Sequence, residues 1–106
     1  MGIFDLLNGP DINDGLKDYQ TEEKAILLDA READEYAGGH IEGSINLPLS
    51  RFMEAETMFE DKSVPIYVYC HSGARSKRMA AGLTKLGFKN VVNIGGIMDY
   101  KGILEK

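Results

Sequence analysis

The order of apolar and polar residues along the chain predicts strands that alternate with helices. Short apolar runs rich in β-branched and aromatic residues are typical of buried strands, and apolar residues repeating every three or four positions indicate helices. The predicted strands span residues 25–28, 44–47, 64–69 and 91–94, while residues 3–7 form either a further strand or the end of a helix. The predicted helices span residues 12–20, 32–36, 50–59 and 97–104, together with one that begins at Ser76 and stops at Gly87.

This alternation predicts an α/β fold, with a mainly parallel, five-stranded sheet and helices on both of its faces. The chain has 106 residues, which suits one domain built around one modest core. In parallel sheets of this kind, ligands collect at the carboxyl ends of the strands. The strand at 64–69 leads directly into Cys70. We therefore expect the loop from Cys70 to Arg75 to lie at a ligand-binding edge.

Composition limits which binding partners and which cellular compartment are expected. The chain carries 12 Lys and Arg against 17 Asp and Glu, a net charge of -5, so no general positive field would attract nucleic acid. The single cysteine forms no internal disulfide, and its spacing from His40 and His71 fits no familiar zinc motif, so neither a metal nor a cofactor is expected. No segment reaches the roughly 18 apolar residues of a membrane span, and no signal-peptide pattern is recognised. We expect no membrane partner and a reducing, cytoplasmic location.

Cys70 is the candidate nucleophile. A cysteine at the end of a buried strand, in a tight loop that leads into a helix, faces backbone N–H groups and the positive end of the helix, and both favour an anion. A free thiol has a pKa of about 8.5, which such surroundings lower. The alternative is an inert cysteine that only packs the core. The strand, loop and helix around Cys70 favour a reactive thiolate.

The residues after Cys70 have the chemistry of an anion trap. Gly73 permits a tight turn and a close substrate, and Ser72 and Ser76 supply hydroxyl groups, with Ser76 expected to cap the helix. Arg75 adds a planar cation that suits sulfonate, sulfate or phosphate oxygens. Because a cation at a helix amino terminus is electrostatically unfavourable, its presence there favours a function. His71 is interpreted as a loop residue, since a preformed thiolate needs no general base.

Three segments, in order along the chain, resemble signature motifs of the rhodanese family of sulfurtransferases. The loop Cys70-His71-Ser72-Gly73-Ala74-Arg75-Ser76 resembles the active-site loop of single-domain members, which has the pattern Cys-x-x-Gly-x-Arg-Ser. Residues 29–48, DAREADEYAGGHIEGSINLP, resemble the upstream signature. Gly95-Gly96 with Tyr100 resembles the closing motif, although many relatives have Trp in place of Tyr100. The resemblance covers about residues 25–101 and implies one rhodanese-like domain over residues 1–106.

The resemblance implies an enzyme that moves a sulfane sulfur through a Cys70 persulfide. The expected sulfur donor is thiosulfate or a similar anion such as polysulfide or a persulfide, and the expected acceptor is cyanide, a thiol or a protein. The substrate-binding residues would be His71, Ser72, Gly73, Ala74, Arg75 and Ser76. Four upstream residues are interpreted instead as structural hydrogen-bonding groups: Asp29, Arg31, His40 and Asn46.

Two alternative functions stay open. Cysteine phosphatases and arsenate reductases also hold a thiolate in an anion-binding loop. Phosphatases of the Cys-x5-Arg type place the arginine six positions after the cysteine, whereas Arg75 is five after Cys70, and arsenate reductases use further cysteines that this chain lacks. The second alternative is a non-catalytic relay or sulfide-sensing module that acts with a protein partner, and the loop residues are compatible with it.

Overall fold

In the computed structural model, which describes residues 9–106, a parallel sheet lies between helices. The strands in this part of the chain are β1 (Ile26–Asp29), β2 (Ile45–Asn46), β3 (Ile66–Cys70) and β4 (Val91–Gly96). Across the sheet their order is β2-β1-β3-β4, and every neighbouring pair is parallel. The α-helices are α1 (Ile12–Thr21), α2 (Ala33–Gly38), α3 (Ala55–Met58) and α4 (Ala74–Lys85), with 3-10 helices at Leu49–Glu54 and Ile97–Asp99. The predicted α/β fold with a parallel sheet is confirmed.

The central strand β3 is buried on both faces because its side chains alternate between two hydrophobic cores. Ile66, Val68 and Cys70 join the core that α4 covers. Tyr67 and Tyr69 point the other way, into the core that α1 covers. Helices α1 and α4 therefore lie on opposite faces of the sheet. This double burial explains why the sequence of β3 reads as one continuous apolar run.

The sheet has four strands within residues 9–106, not the five expected. The four apolar runs in this part of the chain supply all four strands. Residues 3–7, which were interpreted as either a further strand or the end of a helix, lie outside the described residues.

The predicted closing helix over residues 97–104 is wrong. Only the single 3-10 turn Ile97–Asp99 forms. Residues 100–106 form no helix, and the backbone of Glu105 forms two hydrogen bonds of 2.8 Å with the backbone of His40. Gly102 is a poor helix former, and these long-range hydrogen bonds satisfy backbone groups that a helix would otherwise have paired locally.

The predicted helix over residues 50–59 is divided. A 3-10 helix, Leu49–Glu54, precedes the short helix α3, and Arg51 within it has non-helical angles of φ -117° and ψ 24°. Phe52 of the 3-10 helix packs directly on Gly82 of α4, where a Cβ atom would lie 2.8 Å from the ring. The missing side chain at Gly82 thus lets the 3-10 helix approach α4 closely.

A buried ion pair fixes the carboxyl end of β1, next to β3. The side chains of Asp29 and Arg31 are 0% and 7% exposed, and Arg31 Nη2 donates to Asp29 Oδ2 at 2.8 Å. The same nitrogen donates to the carbonyl of Gly39 at 2.7 Å. Asn46 Nδ2 donates to the backbone carbonyls of Asp29 and Arg31 at 3.1 and 2.8 Å. This network joins β1, β2 and the turn after α2.

His40 belongs to the same structural region. Its ring stacks on Tyr36 with centroids 3.9 Å apart, and its Nδ1 is hydrogen-bonded to the carbonyl of Tyr36 at 2.9 Å. The Tyr36 hydroxyl in turn donates to the carbonyl of Ser44 at 2.6 Å. Each of the four upstream residues therefore has hydrogen-bond partners within the fold: Asp29, Arg31, His40 and Asn46.

Replacing Asp29 by Asn is expected to destabilise the protein by about 3–5 kcal/mol, because it leaves the Arg31 charge buried without a counter-charge. The free energy of unfolding from urea denaturation measures the effect. Arg51→Ala is the matched control, since it removes an exposed ion pair with Glu54. Equal urea midpoints for the two variants would contradict the structural importance of the buried pair.

Candidate active site

The loop that follows Cys70 lies at the carboxyl end of the central strand. Cys70 is the last residue of β3, and it is 1% exposed. Gly73 has a left-handed backbone with φ +104°, which glycine adopts without the penalty of a side chain. The loop thereby turns within three residues and starts α4 at Ala74. Cys70 is therefore placed beneath the amino terminus of a twelve-residue helix.

Ser76 is not the helix cap that the sequence suggested. Gly73 occupies the cap position, so Ser76 is the third residue of α4. It is fully buried, and its hydroxyl lies 3.4 Å from Cys70 Sγ. The serine faces the sulfur because the tight turn at Gly73 places the helix cap three residues earlier than expected.

The Cys70 sulfur is surrounded by hydrogen-bond donors. The N–H of Gly73 lies 3.0 Å from it, and the Ser76 hydroxyl lies at 3.4 Å. Burial raises the pKa of the Cys70 thiol, but hydrogen bonds from the Ser76 hydroxyl and from the N–H groups of Ser76, Gly73 and Arg75 outweigh it, and the net pKa is lowered. The site therefore favours a thiolate, which is the nucleophilic form.

Arg75 is oriented by a carboxylate from another element. Its two terminal nitrogens donate to the two oxygens of Glu35, on α2, at 2.7 and 2.9 Å. Both side chains are about one-third exposed. The hydrogen bond from Arg75 is the main cause that lowers the pKa of Glu35, to about 2. Arg75 thus lies beside the loop as a cation whose charge is partly balanced.

Asn93 is a residue of the site that the sequence analysis missed. Its Oδ1 accepts the Ser76 hydroxyl at 2.6 Å and the N–H of Gly95 at 3.0 Å. The N–H of Gly95 fixes the amide orientation, because a flipped amide would place two donors against each other. The hydroxyl of Ser76 has one hydrogen, and Asn93, the Cys70 sulfur and the carbonyls of Gly73 and Gly95 all compete to accept it. The sequence feature that could have indicated Asn93 is its position as a polar residue inside the apolar run at 91–94.

Gly96, at the end of β4, lets the Cys70 loop approach the strand closely. A Cβ atom at Gly96 would clash with the carbonyl oxygen of His71 and would lie 2.6 Å from Cα of Ser72. The same carbonyl accepts the N–H of Met98 at 3.1 Å. The loop can therefore lie directly on the end of β4 only because residue 96 has no side chain.

The predicted substrate-binding residues divide into two groups. Gly73, Arg75 and Ser76 supply hydrogen-bond donors to the sulfur. His71, Ser72 and Ala74 are exposed at the surface of the loop. The four upstream residues form hydrogen bonds around the end of β1 and the turn after α2, and none of those bonds reaches the Cys70 sulfur. These residues are Asp29, Arg31, His40 and Asn46.

Within residues 9–106, no three His, Cys, Asp or Glu side chains are grouped as a metal site requires. In that same part of the chain, no helix is both long and apolar enough to cross a lipid bilayer. The groups around the Cys70 sulfur are N–H and O–H hydrogen-bond donors, and such groups bind an anion more favourably than a cation.

The fold and the loop define a class of α/β proteins with a buried cysteine at the carboxyl edge of a parallel sheet, where its sulfur faces hydrogen-bond donors of the following loop and helix. Residues 13–102 match the family model described as rhodanese-like domain, and the chain belongs to this family. The resemblance identified from the sequence motifs is confirmed. Proteins of this family act on sulfur donors and acceptors.

Named relatives support the same assignment. The putative sulfur carrier protein YrkF of Bacillus subtilis (strain 168) is 37% identical over 86 residues, covering 80% of this chain and 46% of that protein. The thiosulfate sulfurtransferase PspE of Escherichia coli (strain K12) is 34% identical over 73 residues, covering 68% and 70%. A solved structure of a rhodanese with anions from E. coli superposes with a TM-score of 0.71 at 30% identity, covering 77% and 98%.

The chain spans only part of several relatives. It covers less than half of YrkF, and between 24% and 32% of related tRNA uridine(34) hydroxylases. The activities of those longer proteins are therefore not assigned to this chain.

Ser76→Ala is expected to raise the pKa of Cys70, because the change removes a hydroxyl donor that stabilises the thiolate. The pH dependence of alkylation by iodoacetamide measures this shift, and the curve should move to higher pH. Ser72→Ala is the matched control, since Ser72 is exposed. Identical curves for wild type and Ser76→Ala would contradict the role assigned to this hydroxyl.

Proposed function

We propose that this protein is a sulfurtransferase that carries a sulfane sulfur as a persulfide on Cys70, with thiosulfate or a related anion as the sulfur donor. The observation that carries the proposal is the buried Cys70 sulfur, which has the N–H of Gly73 at 3.0 Å and the Ser76 hydroxyl at 3.4 Å and whose pKa is lowered by its hydrogen-bond donors. A thiosulfate sulfurtransferase among the relatives supports it at the level of the family.

In the first half-reaction the Cys70 thiolate attacks the outer sulfur of thiosulfate. A bond forms between Cys70 Sγ and that sulfur, and the S–S bond of thiosulfate breaks. Sulfite leaves with the bonding electron pair, so Cys70–S⁻ and S–SO₃²⁻ give Cys70–S–S⁻ and SO₃²⁻. No proton transfer is needed, which agrees with a site that holds a thiolate rather than a thiol–base pair.

The loop amides supply the electrostatic part of this step. Their N–H groups converge on the Cys70 sulfur, where the donor anion reacts, and such preorganised donors stabilise negative charge effectively in a site shielded from water. The guanidinium of Arg75 adds a cation beside them. Its ion pair with Glu35 directs the guanidinium and reduces its net charge.

In the second half-reaction an acceptor attacks the outer sulfur of the persulfide. With cyanide, Cys70–S–S⁻ and CN⁻ give Cys70–S⁻ and SCN⁻, so the thiolate is regenerated. With a thiolate acceptor, the sulfur passes to the acceptor as a new persulfide. Since His71, Ser72 and Ala74 are exposed, an acceptor larger than cyanide has access to the rim of the loop.

A relay function is the second candidate, because one relative is named as a putative sulfur carrier. A relay would form the same Cys70 persulfide but pass the sulfur only to a protein partner.

A phosphatase is less favoured, since the loop is one residue shorter than the Cys-x5-Arg type and its arginine is engaged by Glu35.

Incubation with thiosulfate is expected to add the mass of one sulfur atom to the intact protein. Dithiothreitol should remove that mass, and Cys70→Ser protein should not acquire it. Subsequent cyanide should yield thiocyanate from an enzyme but little from a dedicated relay. If thiosulfate, polysulfide and glutathione persulfide all leave the mass unchanged, the proposed sulfur transfer is refuted.

Arg75→Ala is expected to raise the KM for thiosulfate about three- to tenfold with a smaller effect on kcat, because a partly exposed cation near the anion is lost. Steady-state thiocyanate formation measures both constants. Loss of Arg75 has two effects, because it removes a cation near the anion and leaves the Glu35 carboxylate without its partner. The double variant Arg75→Ala/Glu35→Gln separates them, since it removes that carboxylate as well. A normal KM in the double variant would mean that Arg75 only neutralises Glu35.

A further inference from the structure

Helix α4 is a basic element in an acidic protein. It carries Arg75, Lys77, Arg78 and Lys85, and none of its twelve residues is acidic. The chain as a whole has a net charge of -5. The helix begins at the Cys70 loop, so its positive charge is concentrated next to the candidate site. An acidic partner would therefore be attracted to this face and repelled by most of the remaining surface.

A groove runs along this helix from the active-site loop. We call it the α4 groove; its volume is about 730 Å³, and it lies between α4 and the 3-10 helix Leu49–Glu54. Arg75, Arg78 and Lys85 line its α4 side, and Leu49 and Phe52 line its apolar side. Thiosulfate has only five heavy atoms, so the groove has room for a much larger molecule.

The cations of the groove differ in their availability. Arg75 is engaged by Glu35, whereas Arg78 and Lys85 are exposed and form no ion pair within the described residues. Glu32 is the acid among the lining residues. Arg78 and Lys85 are seven residues apart, which places them about 10 Å apart along the helix axis. Two acidic residues three positions apart in an extended peptide of the polyproline II type lie on the same face, about 9 Å apart.

We propose that the α4 groove binds an acidic, extended segment of a protein that accepts sulfur from Cys70. The acids of the segment pair with Arg78 and Lys85, and its apolar side chains contact Leu49 and Phe52. This arrangement places the acceptor cysteine at the Arg75 end of the groove, beside the loop. The inference rests on the proposed function, which supplies the persulfide.

The transfer step is a simple exchange. The acceptor thiolate attacks the outer sulfur of Cys70–S–S⁻, and a bond forms between the two sulfurs. The S–S bond to Cys70 breaks, and Cys70 leaves as the thiolate, so RS⁻ and Cys70–S–S⁻ give RS–S⁻ and Cys70–S⁻. No external oxidant or reductant is consumed.

The test uses two synthetic peptides with one amino-terminal cysteine followed by Gly-Glu-Leu-Gly-Glu or by Gly-Gln-Leu-Gly-Gln. The full-length protein is first loaded with sulfur from thiosulfate and checked by mass, and then single-turnover transfer to each peptide is measured at low salt. The acidic peptide is expected to react about tenfold faster, and added salt should reduce the difference. Glutathione is run alongside as a small acidic thiol.

Charge variants test whether the preference for the acidic peptide comes from the α4 groove. Arg78→Glu/Lys85→Glu should abolish the preference for the acidic peptide, while its rate of loading by saturating thiosulfate stays within about twofold of wild type. Lys89→Glu/Lys101→Glu, which makes the same change in net charge outside the α4 groove, should keep the preference. A peptide with Lys in place of Glu should react faster with the groove variant than with wild type.

A binding measurement separates this inference from the proposed function. Fluorescence anisotropy with Cys70→Ser protein and a labelled acidic peptide, its cysteine replaced by serine, needs no persulfide. Binding should be lost when Arg78→Glu/Lys85→Glu is added and retained when Lys89→Glu/Lys101→Glu is added. The inference is overturned if wild type does not distinguish the peptides, if both charge variants behave alike, or if glutathione reacts faster than the acidic peptide.

Discussion

The hydrogen bonds to the Cys70 sulfur are the interaction on which the proposed chemistry depends. Burial alone would keep the thiol neutral, because a charged sulfur loses its hydration when it leaves water. The Ser76 hydroxyl and the N–H groups of Gly73, Ser76 and Arg75 replace that hydration, and the net effect lowers the pKa of Cys70. The same kind of fixed donor stabilises the oxygens of an anionic substrate. One ring of donors can thus serve both the nucleophile and the sulfur donor.

The rest of the fold keeps this ring in place. The left-handed turn at Gly73 brings the start of α4 over the sulfur, and the missing side chain at Gly96 lets the loop lie on the end of β4. The neighbouring strand end is held by the buried pair of Asp29 and Arg31. These features determine where the backbone N–H groups point, which a side-chain motif alone cannot do.

The strands and the Cys70 loop are predictable from sequence because their signals are local. The doubly buried β3 appears as a continuous apolar run, and the loop as a compact motif of seven residues. Contacts between distant segments are not predictable in this way. Asn93 meets Ser76 across 17 positions and Glu35 meets Arg75 across 40, and the pairing of Glu105 with His40 replaces the expected closing helix. Single-sequence patterns carry no record of which distant groups will pair.

The charge state of the Cys70 sulfur is the most direct test of the central claim. Ultraviolet absorbance of the thiolate, followed across pH for the native protein and for the urea-unfolded chain, gives the pKa of the same thiol in both states. Cys70→Ser protein supplies the background. A lower pKa in the native protein is the predicted result. An equal or higher native pKa would contradict a thiolate stabilised by the loop.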